Sequence, residues 1–556
     1  MLTIDRRAVL ALPSERPQQV KVLEKAYEWL TDPELYARAQ SDRPAVARLS
    51  SNDIDKLLST GKIEKVPSGR ENTPLGQCSV HKVLELLKKR WRVVQHPKDV
   101  NAYTPDADKV QFMKFLERHK AVHAGTYALD LDFVSFFDAF ELDPEVRRYF
   151  CFTFNGQQYR MCVMPMGAKQ SVKVAHETTV QLLNFPSDAY KEPYVDNARF
   201  VADSAKAAVD AAIEFVLRCA KANAKINEID ITLVQAASSI SEKRAVARSL
   251  LEPLVVQQHD WLGERYDYVK KTVCLAEKTK KKINECLSGG KRTFKNLAAI
   301  FAILQYASRT LGIKLAKYFT ALRAQSTIGR FLSEVPELWP ATAPELCPAV
   351  EFSLHDWQRD ILEASPRRVN PDDMPTAFLI CDTSAAGWGA AFVDPDGHAD
   401  SARGTWGANE YDELVRRKSA WAEPVGIRRA LNKFITRDGP ELRLVIGTDS
   451  STARYAFAAG HSKSWQVNGV CDEINKHFKR VTVETFHIPG KIMPVDGISR
   501  NENKITIQEW EQIKELALLA QEGDIDGVRV DLNGVYAYSG DGECRAHRPL
   551  LSFMAR

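Results

Sequence analysis

Four prolines spaced four residues apart, Pro336, Pro340, Pro344 and Pro348 in VPELWPATAPELCP, limit how this chain can fold. Each lacks a backbone N–H, so neither a helix nor a central strand can run through the stretch. It reads as a connector between bodies that fold separately. A second cluster, Pro366, Pro371 and Pro375, ends just before TAFLICD, an apolar run of the length of a buried strand. The chain has 556 residues, 44% hydrophobic and 27% charged, enough for several cores. No internal repeat or low-complexity segment interrupts it.

Charge and cysteine usage narrow the class. The net charge is only +4, so no global field announces a nucleic-acid partner, and local patches must carry any such inference. The strongest patch is EKTKKKINECLSGGKRTFKNL, with Lys278, Lys280, Lys281, Lys282, Lys291, Arg292 and Lys295. Such a run is ordinarily a solvated helix face, but it can also track a phosphate backbone by releasing condensed counterions. The ten cysteines never form C-x-x-C, which argues against a zinc ribbon and fits reduced thiols. No apolar run reaches the roughly 18 residues needed to span a bilayer, and MLTIDRRAVLALPSERP lacks a signal-peptide core. The expectation is a soluble intracellular protein, nuclear or cytoplasmic, with no membrane partner.

Upstream of the prolines, LDLDF, YFCFTFNGQQYRMCV and EPYVDNARFV have strand character, and Asn155-Gly156 supplies a hairpin turn. VKVAHETTVQLLNF and AAVDAAIEFVLRCAKAN carry the three-and-four spacing of helices. If YALDLDF is a strand, Asp130 and Asp132 share one face, with Leu129 and Leu131 on the other. Two carboxylates on one strand face repel each other unless cations or hydrogen bonds compensate. An isolated D-x-D is more often a solvated edge, but Asp196 arrives in a neighbouring predicted hairpin. Carboxylates from two adjacent strands suit Mg²⁺, which takes oxygen ligands and bridges to substrate phosphates.

Downstream, Asp382 ends a predicted strand, and Glu423 precedes Pro424, where a helix is predicted to start. Asp449 ends the strand of LRLVIGTDSSTARYAF, and Asp496 follows in HIPGKIMPVDGISR. Taken singly, Glu423 would favour a helix dipole and Asp449 would cap a helix. C-D-T-S is not an aspartic protease loop, because Ser384 stands where that loop needs glycine.

Residues 50 to 330 resemble reverse transcriptases. LLSTGKIEKV is similar to the opening of their fingers, and WRVVQHPKDVN to the signature that follows. LDLDFVSFFDAF resembles motif A, FTFNGQQYRMCVMPMGAKQS the hairpin and motif B, YVDN motif C, and WLGERYDYV motif E. The resemblance implies Asp132 as metal ligand with Phe137, five positions on, as the gate against a ribose 2′-OH. Asp130 would then be a helper or a structural acid. It further implies Asp196 as second ligand, with Asn197 standing where relatives carry another Asp. Arg92 would grip the triphosphate, with Lys88 or Lys89 assisting. Gly167 would give close backbone approach to the nucleotide or template, and Gln170 would line the nucleotide pocket or cap the next helix. Lys225 is the loosely matched motif D candidate.

Residues 376 to 502 resemble the ribonuclease H domain of retroelements. C-D-T-S-A-A-G-W-G-A and H-I-P-G…D-G-I-S-R carry the likeness, although Ile492 and Met493 stand where relatives usually have Asn. The resemblance implies that Asp382, Glu423, Asp449 and Asp496 hold two Mg²⁺ ions, with His487 either aiding product release or simply structural. The whole is similar to the Pol region of LTR-type retrotransposons. G-W-G-A, H-I-P-G and D-F-V-S-F-F-D favour the tyrosine-recombinase group of DIRS, Ngaro and VIPER-like elements.

The implied fold is α/β and multidomain: a right-hand polymerase of fingers, palm and thumb followed by a ribonuclease H-like α/β domain. The expected divisions are 1–49 N-terminal extension, 50–270 fingers and palm, 271–335 thumb, 336–375 proline-rich connector, 376–502 ribonuclease H and 503–556 tail. IQEWEQIKELALLAQ, in that tail, reads as one helix. The implied partners are RNA template, DNA primer, RNA/DNA hybrid and dNTPs, with two Mg²⁺ or Mn²⁺ ions per active site. Two rivals remain: a ribonuclease H whose polymerase half only clamps hybrid, and a domesticated nucleic-acid-binding protein without activity.

Overall fold

In a computed structural model the chain is α/β and multidomain, divided into two compact units. The structure describes residues 3–522 apart from 42–43, 86–89, 290–291, 371–373, 418, 438 and 503, together with the short strands Val528–Val530 and Tyr536–Tyr538. Lys88, Lys89 and Lys291 lie outside the described residues. The first unit holds residues 1–259 and 266–272, the second 260–265 and everything from 273 on.

The first unit is built on a three-stranded antiparallel sheet. Tyr127–Asp132 lies at one edge, Asn197–Ala202 at the centre and Tyr190–Tyr194 at the other edge. Pro193 is tolerated because an edge strand has no ladder bond to lose on its outer side. Leu129 and Leu131 are buried while Asp130 and Asp132 are half-exposed, as the alternation predicts. Beneath, the helices Ser171–Leu182 and Ala205–Ala222 present Val174, Leu182, Val209, Ile213 and Val216 to one core. Asn155 and Gly156 both take positive φ between the strands Cys151–Phe154 and Gln157–Met161, the turn that N-G predicts. A separate two-stranded arm pairs Ser79–Glu85 with Arg90–His96.

The N-terminal segment packs on the first unit. Helix Pro17–Thr31 packs on helix Ser171–Leu182, and Leu23, Tyr27 and Leu30 lie in the same core as the sheet. Gln170, by contrast, occupies the N-cap position of helix Ser171–Leu182 without capping it.

In the second unit, helices Phe294–Leu311, Phe319–Glu334 and Pro348–Glu363 share a core of Leu304, Tyr318, Leu354 and Trp357. The last of these helices lies inside the segment read as connector. Pro348 starts it because a first-turn proline loses no intrahelical bond, so only residues 335–347 connect. A five-stranded sheet follows. Its order is Ala399–Thr405, Gly387–Val393, Thr376–Thr383, Leu442–Thr448 and Val481–His487, antiparallel through the first three strands and parallel thereafter.

The central strand Thr376–Thr383 is apolar on both faces because both are covered. Leu379 and Cys381 meet Val425, Leu431 and Ile474 on one side. Phe378 and Ile380 meet Ile513, Leu516 and Ala520 on the other. Helix Ile507–Glu522, assigned from sequence to the tail, therefore closes the sheet. Helix Ser419–Phe434 also departs from expectation: Pro424 sits inside it rather than at its start. The proline costs one bond near the helix start, and tertiary packing on the sheet outweighs it.

If these terminal segments belong to the two cores, Leu30→Ala and Ile513→Ala should each destabilise their unit by about 3 kcal/mol in urea unfolding. Segments merely attached to a finished core would give values near zero.

Candidate functional site: two carboxylate centres

The first centre forms where the strand Tyr127–Asp132 ends beside the turn joining the other two strands. Asp132 is the cross-strand partner of Asn197, and Asp196 occupies the turn. The Phe133 N–H donates to the Asp196 carbonyl at 2.9 Å, and Asn197 Nδ2 donates to Asp196 Oδ1 at 3.0 Å. Burial first, then the charges of Asp196 and Glu228, push Asp132 up to about 6. Burial also raises Asp196, and the charge of Arg92 opposes that rise. Arg92 is thus electrostatically part of the centre, with Nη2 resting 3.0 Å from the Met166 sulfur.

The other residues singled out in the sequence are placed as follows. Gly167 is indeed a position of close approach, but to protein: a Cβ there would lie 2.1 Å from the Gln95 carbonyl oxygen. Gln170 is buried, and its amide donates to the Tyr36 hydroxyl at 3.1 Å. Phe137 is half-buried against the core, and Asp130 lies cross-strand from Arg199. Lys225 is exposed, and its carbonyl accepts from the Val134 N–H.

The sequence reading missed Glu228, three residues beyond Lys225. The segment 226–228 runs beside the strand Tyr127–Asp132 through an isolated bridge between Phe133 and Ile226. Glu228 Oε2 there accepts the Asp132 N–H at 2.9 Å. A single bridge leaves no periodicity in the sequence, so only the unpaired acid in KINEID could have hinted at it.

The second centre sits at the carboxyl ends of two adjacent parallel strands. Asp382 ends Thr376–Thr383, and Asp449 follows Leu442–Thr448. Ser450 caps helix Ser451–Ala459 by accepting from the Ala453 N–H, which leaves Asp449 free of the capping role. Glu423 reaches the centre from inside its helix rather than from the helix start. Its Oε1 accepts from the Thr383 N–H at 3.2 Å and hydroxyl at 2.6 Å. Carboxylate oxygens of Asp382, Glu423 and Asp449 lie within 4.8 Å of one another.

Close backbone approach makes this possible. A Cβ on Gly389, directly cross-strand from Asp382, would lie 2.6 Å from the Ser499 nitrogen. With glycine there, Ser499 comes near enough for its hydroxyl to donate to Asp382 Oδ2 at 2.7 Å. Asp496 stands outside the tight trio, its Oδ1 held by Arg500 at 2.9 Å. Its charge still contributes to the raised pKa values of Asp382 and Asp449, after burial. His487 is exposed at the end of its strand, and its charge counters the rise at Asp449.

The donor set fits a hard divalent ion. Every ligand candidate is oxygen, and burial with neighbouring acids pushes Asp382 up to about 6 and Glu423 up to about 8. Glu423 Oε2 is buried and without a hydrogen-bond partner, a costly state that a cation would relieve. Among the described residues, the only other such trio is Asp394, Asp396 and His398, in an exposed hairpin loop.

No protein-family profile matches the chain. No curated protein matches it either. Among solved structures, a foamy viral protease-reverse transcriptase in complex with dsDNA is similar at 15% identity, over 86% of this chain and 96% of that one, with a TM-score of 0.45. The same protein in complex with an RNA/DNA hybrid gives 15% identity over 86% and 62%, with a TM-score of 0.44. At these values the likeness assigns no residue and no activity. No helix among the described residues is long and apolar enough to cross a membrane.

The raised Glu423 carboxyl predicts how stability varies with pH. Between its ordinary value of 4.5 and about 8, the folded protein holds a proton that the unfolded chain releases. Metal-free protein should therefore melt at progressively lower temperature as pH rises from 6 to 8, and Glu423→Gln should flatten that slope. Mg²⁺ added at pH 8 should raise the melting temperature of the parent more than that of Glu423→Gln.

Proposed function

We propose that the chain is a retroelement reverse transcriptase, synthesising DNA on RNA and DNA templates at the first centre and cleaving the RNA of RNA/DNA hybrids at the second. The observation that carries this reading is the second centre: three clustered carboxylates, two from strand ends of a five-stranded sheet and one from a helix packed on it, the last with a buried, unpartnered oxygen. The first centre supports it with two acids at a strand end and a turn, and an arginine whose charge reaches Asp196. Asp132 and Asp196 would hold divalent ions in one centre, and Asp382, Glu423, Asp449 and Asp496 in the other. Those ions, Mg²⁺ or Mn²⁺, would supply Lewis acidity toward phosphate oxygens and lower the pKa of the attacking hydroxyl or water.

The remaining work belongs to the chain. Arg92 offers a planar donor fork to the triphosphate of a dNTP. Phe137 places its ring under the sugar, so that a 2′-OH collides. Asn197 presents a carbonyl oxygen where a second carboxylate would otherwise stand. Thr383 and Ser499 orient Glu423 and Asp382 through hydrogen bonds. The exposed Lys278, Lys281, Lys282 and Lys295 offer contacts to a phosphate backbone. The sequence motifs favour an element of the tyrosine-recombinase group.

Asn197 favours a second reading, in which the first unit has lost synthesis and only holds hybrid for the nuclease. Primer extension on an RNA template, with RNA cleavage followed in the same tube, separates the two. Under the proposal the parent extends, Asp196→Ala lowers extension by about a thousandfold or more while cleavage persists, and Asp449→Asn does the reverse. A parent that cleaves but never extends, and that gains synthesis in Asn197→Asp, would establish the clamp reading.

Phe137→Val supplies a separate check. It should narrow the preference for dNTPs over rNTPs by about tenfold or more in single-nucleotide incorporation. Unchanged discrimination would remove Phe137 from the gate.

A further inference from the structure

The turn that carries Asp196 is strained. Val195 takes φ of +54°, the positive value that the first position of a type II′ turn uses and that glycine ordinarily supplies. A β-branched residue there is held against its own preference, because its Cβ crowds the neighbouring backbone. Something outside the turn must therefore fix it.

Two side chains from one helix face do so. His176 Nδ1 accepts the Val195 N–H at 3.1 Å, and the Thr179 hydroxyl donates to the Val195 carbonyl at 2.6 Å. Both lie on helix Ser171–Leu182, one turn apart. Because Nδ1 accepts, the proton of the neutral ring is on Nε2. The Phe112 ring packs 4.9 Å from both His176 and Tyr194, closing the assembly. The two bonds fix the peptide planes on either side of Val195, and those planes set the direction in which Asp196 leaves the backbone.

We propose that His176 and Thr179 form a two-point clamp on Val195, positioning residues that aim the Asp196 carboxylate at the cation site. The inference rests on the reading of Asp132 and Asp196 as metal-binding acids. His176→Asn keeps an acceptor at the δ position and Thr179→Ser keeps the donor, whereas His176→Leu and Thr179→Val remove them. Val195→Gly makes positive φ easy and the clamp dispensable.

The first test is Mn²⁺ binding by electron paramagnetic resonance in an Asp382→Asn, Asp449→Asn, Asp394→Asn, Asp396→Asn background, which disables both of the other acid clusters found among the described residues. His176→Leu and Thr179→Val should each weaken Mn²⁺ about tenfold, His176→Asn and Thr179→Ser should bind like the parent, and adding Val195→Gly to His176→Leu should restore affinity. In primer extension with the second centre intact, His176→Leu should lower kcat about tenfold, with the KM for dNTP and the RNA cleavage rate unchanged. Equal Mn²⁺ affinity in parent and His176→Leu overturns the clamp. So does a loss that Val195→Gly fails to rescue, or one shared by RNA cleavage, since either marks general damage to the fold. A parent that binds Mn²⁺ but does not extend primers fails only the polymerase reading, and the clamp is then judged on affinity. A parent that binds no Mn²⁺ overturns both.

Discussion

Carboxylates brought together out of water are the constraint around which both units are arranged. Each acid loses hydration and gains a like-charged neighbour, and both effects favour its protonated form. Asp132 and Asp382 rise to about 6 and Glu423 to about 8 for the same two reasons, burial first and neighbouring acids second. A fold that keeps such groups adjacent must spend hydrogen bonds and packing to hold them. The second unit does so with Thr383, Ser499 and the absent side chain of Gly389. The first does so with backbone donors, Asn197 and the clamp on Val195.

The two centres differ in how much of this compensation is internal. In the second, Glu423 Oε1 takes two bonds from Thr383 while Oε2 takes none, so the site is held in place yet left short of a partner. Asp496 is withdrawn to Arg500, which keeps a fourth negative charge nearby without adding it to the trio. In the first, the arginine is Arg92, on a two-stranded arm rather than on the sheet, and its charge opposes the rise at Asp196. Positive charge thus reaches both centres from side chains that can turn toward solvent.

What the sequence made legible was whatever follows a short-range rule. The D-L-D alternation placed two acids on one face and two leucines in the core. Asn155-Gly156 gave its turn, and the strand-end positions of Asp382 and Asp449 followed from apolar runs and their stops. Where two rules competed, tertiary packing decided. Pro424 signalled a helix start, but it lies inside the helix because the apolar face is buried on the sheet. Asp449 looked like a cap until Ser450, one residue on, proved able to do that job. Contacts between distant segments left no trace in the pattern. The burial of Leu23 and Leu30 in the first core, of Ile513 in the second, and the approach of Glu228 to Asp132 are of this kind.

Asn197 is best understood through those contacts. Its Cα lies directly across from that of Asp132, a carboxyl already raised by burial and by Asp196. An aspartate at 197 would place a third acid beside these two and deepen the repulsion that each must overcome to ionise. The amide reverses the sign of that interaction, since Nδ2 donates to Asp196 Oδ1 while the carbonyl oxygen remains a neutral donor for a cation. Glu228, which is exposed to solvent, accepts the Asp132 N–H from the opposite edge of the strand, and its charge is a further cause of the raised Asp132 carboxyl. An asparagine at 197 thus keeps a further charge away from two carboxyls that burial already raises, while leaving an oxygen beside them.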